Sequence, residues 1–170
     1  MAEVETLQLA PGDDVPNSPL PVLLYRGAFA TAGDRAGRIE QSFREHGWRG
    51  LWRNGIFAYH HFHDNAHEVL GIAEGEAVVQ LGGAAGPEVA LAAGDVVVLP
   101  AGTGHKRLSA SPDLLVIGGY PPGQERPTLL GGGDGVADVA ARCAAVPLPA
   151  SDPVNGADGA LTRLWRLTAE

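Results

Sequence analysis

Residues 55–75 read Gly-Ile-Phe-Ala-Tyr-His-His-Phe-His-Asp-Asn-Ala-His-Glu-Val-Leu-Gly-Ile-Ala-Glu-Gly. Histidines stand at 60, 61, 63 and 67, and a further one at 105. Histidine is the commonest protein ligand for first-row divalent metals. On a β-strand, side chains two apart share a face, so His61 and His63 are neighbours, roughly 6–7 Å apart at Cα from the strand rise. That spacing lets two imidazoles converge on one ion. Asp64-Asn65 marks a turn, and the strand returning from it brings Glu68 beside them. Its carboxylate adds a charge that offsets a cation. His105 follows the turn Pro100-Ala101-Gly102-Thr103-Gly104 and is the candidate fourth ligand.

The same parity sets the other histidines aside. His60 alternates with His61, and His67 with Glu68, so both are expected to face away from the ion in structural or supporting roles. The turn can shift parity by one residue, which keeps His67 open as an alternative ligand. His46 falls in the last turn of a candidate helix, where a cation is favoured.

Outward from this stretch, short apolar runs are separated by turn signals at Glu74-Gly75, Gly82-Gly83, Ala93-Gly94-Asp95 and Ser111-Pro112-Asp113. Strands are expected over 21–26, 51–63, 67–73, 76–82, 87–91, 95–99, 104–110 and 113–120. In 76–82, Ala77, Val79 and Leu81 alternate with Glu76, Val78 and Gln80, the period of a strand with one buried face. Strands joined by tight turns pair antiparallel. Residues 1–20 read as extended or loop-like. A helix is expected over 34–46, with Ile39 and Phe43 on one face, Asp34 as N-cap and Gly47 as the stop. After Pro121 the chain is rich in Gly, Ala, Pro and Asp, with a short helix around 136–145. Leu161-Thr-Arg-Leu-Trp-Arg-Leu167 alternates again and predicts an edge strand or a segment that docks Trp165 on the barrel. The expected class is therefore all-β.

At 170 residues with 45% apolar residues, one domain is expected, with its barrel core over 20–121 and 122–170 as an extension packed on it. The formal net charge of −8 argues against nucleic acid or an anionic membrane as partner, since both need clustered cations. The single cysteine, Cys143, forms no intrachain disulfide and reads as a packed hydrophobe. Residues 1–10 carry no basic-then-apolar leader, and no apolar run nears the roughly 18 residues of a membrane span. A cytoplasmic protein is expected.

Taken together, these residues resemble the cupin superfamily. Its first motif is matched by Gly55, five residues, His61-Phe62-His63, four residues, Glu68, six residues, Gly75. Its second is matched by Gly94, five residues, Pro100-Ala101-Gly102, two residues, His105, three residues, and then Ser109 where the pattern has Asn. That last position is not a metal ligand in the family. The text around Trp52-Arg53-Asn54-Gly55 and Gly119-Tyr120-Pro121 is similar to small bacterial cupins of unassigned function. The resemblance implies a double-stranded β-helix (jelly-roll) barrel with a short N-terminal helix and a C-terminal extension. It also implies one divalent metal on His61, His63, Glu68 and His105. Iron, manganese or nickel would keep open coordination positions, whereas tetrahedral zinc would be saturated by four protein ligands.

The activity so implied is a metal-dependent oxidoreductase, dioxygenase-like, acting on a small oxygen-bearing molecule. The alternatives are a metal-dependent isomerase or lyase, and a barrel that binds metal or a small ligand without turnover. A metal-free sugar-nucleotide epimerase is disfavoured by the complete ligand set. Phe57, Tyr59, Val97 and Leu99 are expected in the apolar shell. Tyr59, Arg53, Lys106 and Tyr120 are the candidate substrate-binding residues. Cupins often pair through edge strands, so a homodimer is expected, with 161–167 as the candidate contact.

Overall fold

The computed structural model describes residues 4–132 and 136–169. Nine strands and three helices are described: β1 (Val4–Leu7), β2 (Val22–Tyr25), α1 (Arg35–Glu45), β3 (Arg49–Asn54), β4 (Glu68–Glu74), β5 (Glu76–Leu81), β6 (Glu88–Ala92), β7 (Val96–Leu99), β8 (His105–Ala110), β9 (Leu115–Tyr120), α2 (Val136–Ala144) and α3 (Ala160–Ala169). The strands form two sheets, β1-β2-β7-β4-β9-β3 and β6-β5-β8, and every pairing is antiparallel.

Side-chain alternation divides the core into layers. Val22, Leu24, Leu70, Ile72, Val97 and Val116 of the large sheet face Val79, Leu81, Val89 and Leu91 of the small one. The opposite face of the large sheet, with Leu23, Tyr25, Val69, Val96, Val98 and Ile117, is roofed by Ile39 and Phe43 of α1 and Leu161 and Trp165 of α3. Burial on both faces explains why β2 and β7 are continuous apolar runs. It also explains Gly71, where a Cβ would stand 2.8 Å from Ile39 Cγ2 and 3.1 Å from the tip of Phe43.

α1 begins as expected: the Asp34 carboxylate accepts the Gly37 N–H at 3.0 Å. Residues 4–7, expected as extended or loop-like, are extended and form an edge strand on β2. Two segments differ from expectation. The strand expected over 51–63 ends at Asn54. β3 is the edge of the large sheet, and the chain must leave it to cross to the small sheet, which it meets through a bridge between His61 and His105 and a bond from the Arg107 N–H to Phe57 O. The segment 161–167 is a helix. Leu161, Leu164 and Trp165 are spaced i, i+3, i+4, which a seven-residue alternation mimics. Docking of Trp165 holds: it is fully buried and its Nε1–H donates to Pro21 O at 2.9 Å. As a helix packed on the core, 161–167 offers no strand edge for the dimer contact expected of it. No described helix is long and apolar enough to cross a membrane.

Candidate metal centre

The crossing segment after β3 builds one wall of the site. His61 N–H donates to His105 O at 3.2 Å and His105 N–H to His61 O at 3.0 Å, while Phe62 exchanges the same pair of bonds with Leu130. Extended backbone at this point sends His61 and His63 to one side and Phe62 to the other, into a cluster with Val15, Ala101, Val139 and Cys143. β8 opens with His105. β4 opens with Glu68, whose alternation with Leu70 and Ile72 points it into the barrel. All four side chains are buried.

Their atoms converge. One nitrogen from each of His61, His63 and His105 lies within 4.8 Å of the others. Glu68 Oε1 lies 3.3 Å from His105 Nε2, and Oε2 lies 3.4 Å from His63 Nε2. Each imidazole turns its Nδ1 to a backbone carbonyl: His61 to Tyr59 O at 3.0 Å, His105 to Thr103 O at 3.0 Å, and His63 to Thr128 O. A carbonyl only accepts, so Nδ1 carries the hydrogen and Nε2 presents its lone pair to the cluster. Three nitrogen lone pairs and a carboxylate thus face one point. Acceptors this close require positive charge between them. A proton serves one pair of them, whereas a cation serves all four at once.

Electrostatics follow the same geometry. Burial, with His105 beside it, lowers His61 to about 4, so its imidazole is neutral and ready to ligate. Burial opposes charge on Glu68, but His105 and His63 outweigh it and hold the carboxyl well below the usual range. Burial likewise opposes charge on His63, and its Glu68 contact prevails and raises its pKa.

The two remaining barrel histidines stand apart from the cluster. His67 is buried on the other side of β4, where its Nδ1 accepts the Ala101 N–H at 2.9 Å and its ring lies 4.9 Å from that of Trp165. Burial lowers it to about 4. His60 lies outside the cluster too, and its Nε2 is buried without a hydrogen-bond partner.

The cluster floors a cavity of about 460 Å³. Of the expected substrate residues, Tyr120 is on its wall. The Trp52 Nε1–H donates to the Tyr120 hydroxyl oxygen at 2.9 Å, and burial and Glu68 raise its pKa above the ordinary phenol value, which keeps it a donor. Tyr59 does not line the cavity; it is exposed beside it, stacked on Phe57, which does, with ring centroids 5.0 Å apart. Arg53 is turned outward to Glu40 of α1 at 2.6 Å. Lys106 sits between His105 and Arg107 on β8, and those two, not Lys106, line the cavity. Val97 and Leu99 are core residues behind the site, not wall.

Parity also finds what that reading missed. Residues two from His105 and one from Arg53 are Arg107, Trp52 and Asn54, all on the wall. Thr128, whose carbonyl fixes His63, has no such signal. Nor do Asp64 and Arg142, whose carboxylate and guanidinium meet at 2.8 Å beside it.

A family model described as the cupin domain matches residues 51–115. The uncharacterized protein YjlB of Bacillus subtilis (strain 168) is 37% identical over 164 residues, covering 96% of this chain and 97% of that one. The chain belongs to the cupin superfamily. This cupin is also similar to three solved structures. Acireductone dioxygenase from Bacillus anthracis, with a cadmium ion in its active centre, is 16% identical, with 59% of this chain and 72% of that one covered and a TM-score of 0.40. The oxalate decarboxylase of Lactobacillus farciminis is 12% identical, with 75% and 33% covered and a TM-score of 0.35. The DMSP lyase DddQ of Ruegeria pomeroyi is 17% identical, with 76% and 50% covered and a TM-score of 0.33. At these scores the family assignment rests on the full-length relative and the motif residues.

Proposed function

We propose that this cupin is a metal-dependent enzyme, an oxidoreductase of the dioxygenase type that acts on a small oxygen-bearing molecule. The observation that carries this is the convergence of three histidine Nε2 atoms and one carboxylate, all acceptors, on the floor of an open cavity. His61, His63, Glu68 and His105 would hold one divalent ion. An iron, manganese or nickel ion held there would supply Lewis acidity toward an oxygen-bearing ligand.

The chain's own residues do the rest. Glu68 offsets part of the cation's charge without leaving the barrel. Tyr120, fixed by Trp52, presents an O–H to the oxygen of a molecule seated above the floor. Ile56, Phe57, Trp52 and Leu70 supply an apolar wall that displaces water around it. The volume lies in the range of small-molecule sites, roughly 300–1,000 Å³.

Oxygen uptake tests the reading. Protein reconstituted with iron(II) is presented with a panel of small enols, vicinal diols and hydroxy acids. Substrate-dependent oxygen consumption that disappears in His105→Ala is the expected result. Substrate conversion without oxygen uptake would shift the assignment to a metal-dependent isomerase or lyase. Binding without conversion would leave a ligand-binding barrel.

A further inference from the structure

Among the residues that line the cavity, Glu68 is the only carboxylate and Arg107 the only arginine or lysine. Arg107 is half-buried, and its guanidinium takes part in none of the ion pairs or side-chain hydrogen bonds among the described residues. Arg53 and Arg142, by contrast, are tied to Glu40 and Asp64. Arg107 is held by its backbone, where its N–H donates to Phe57 O at 2.9 Å. That bond fastens the middle of β8 to the crossing segment, so the guanidinium and the Phe57 ring share one rim. His105 and Arg107 are two apart on one strand, so both face the cavity from the same side.

The rim is unusual in a second respect. Phe57 and Tyr59 are both about half exposed, stacked nearly parallel at 16°, and Phe57 meets the His61 ring edge-on at 5.2 Å. A planar aromatic platform thus stands beside an unpaired guanidinium. With a divalent ion on the floor, the cavity carries net positive charge in a chain whose formal net charge is −8. An anion is the complement, and a guanidinium's planar fork matches a carboxylate through two parallel N–H···O bonds.

We propose that Arg107 anchors the anionic group of the ligand, and that the ligand is a small carboxylate with a planar apolar body laid on Phe57. This deepens the metal reading and rests on it for the ligand's second oxygen, which is turned to the floor. Arg107 thereby sets specificity: an uncharged isostere leaves the guanidinium unpaired.

Calorimetric titration of the full-length protein tests this. The protein carries cobalt(II), counted on the same sample. Benzoate, salicylate and phenylpyruvate are each compared with the matching carboxamide. At least one acid binds about tenfold or more tightly than its amide. Arg107→Gln erases that preference with cobalt content unchanged, and Arg107→Lys keeps part of it. Equal binding of acids and amides, an undiminished preference in Arg107→Gln, or no binding of any acid at millimolar concentration would each overturn the proposal. Should the protein load no cobalt, the metal reading fails on that count. The acid–amide difference is then read on the metal-free protein, where its dependence on Arg107 still decides the anchor.

Discussion

The Asp64 carboxylate joins two parts of the chain that lie far apart in sequence. One oxygen accepts the Arg142 Nε–H at 2.8 Å, and the other accepts the Thr128 hydroxyl at 2.7 Å. Thr128 is the residue whose carbonyl receives the His63 Nδ1–H. A loop residue next to His63 thus clamps the outer partner that orients His63, with α2 as its backing. Asp64→Ala leaves all four cluster side chains in place and removes one acceptor from Thr128, which stays bonded to Asn65 Oδ1. Losing a direct outer partner costs about 10–100-fold in metal affinity, so a loss one step removed is expected to cost up to about 10-fold. Competition with a fluorescent chelator reads this; unchanged affinity would show that the clamp does not position His63.

Another buried carboxylate, Asp152, does structural work. Asp152 is fully buried and accepts four hydrogen bonds: Tyr25 O–H at 2.6 Å, Val154 N–H at 2.7 Å, and Asn155 and Leu161 N–H at 3.0 Å. It ties β2, the 153–156 turn and the start of α3 together. Asp152→Ala strands several buried donors and costs roughly 2–4 kcal/mol of folding stability. Tyr25→Phe removes one bond and costs about 1 kcal/mol. Urea denaturation of the two variants gives the order; a smaller loss for Asp152→Ala would contradict this role.

Gly71 is set by the closeness of α1 to β4. A methyl at Gly71 meets Ile39 and Phe43 at 2.8 and 3.1 Å. Gly71→Ala overpacks this layer and destabilises by about 1–3 kcal/mol. A lowered thermal midpoint with metal stoichiometry unaltered is the expected outcome, because the crowding lies on the face of the large sheet away from the cluster.

Acid destabilises the metal-free protein in a defined window. His67 and His61 are lowered by burial from 6.5 to about 4. Between those values the unfolded chain binds more protons than the folded one, so stability rises with pH there and is lost as pH falls from about 6.5 toward 4. His67→Gln flattens this slope without changing metal content, since His67 faces away from the cluster. Denaturant midpoints across that range, for both proteins, provide the comparison. A slope independent of His67 would count against the account.

The convergence of His61, His63, Glu68 and His105 was legible because parity survives a broken strand. His61 and His63 share a side although they lie outside β3, since the two-residue bridge to His105 keeps the backbone extended. Parity applied one step further would have chosen Arg107 over Lys106 and Trp52 over Arg53. α3 was misread because Leu161, Trp165 and Leu167 fit an alternation while Leu161, Leu164 and Trp165 fit one face of a helix. Thr128 and Arg142 reach the site from sequence separations of 64 and 78 residues from Asp64, and no local pattern marks such a contact. The extension expected to pack on the barrel is thus also part of the site's support.

Metal equivalents per chain, measured by elemental analysis on protein purified without an affinity tag, test the central claim most directly. The wild type and His60→Ala are predicted to hold about one divalent ion per chain, with His61→Ala and His105→Ala largely depleted. A metal-free wild type after reconstitution, or equal loss from all three variants, would contradict the His61–His63–Glu68–His105 centre.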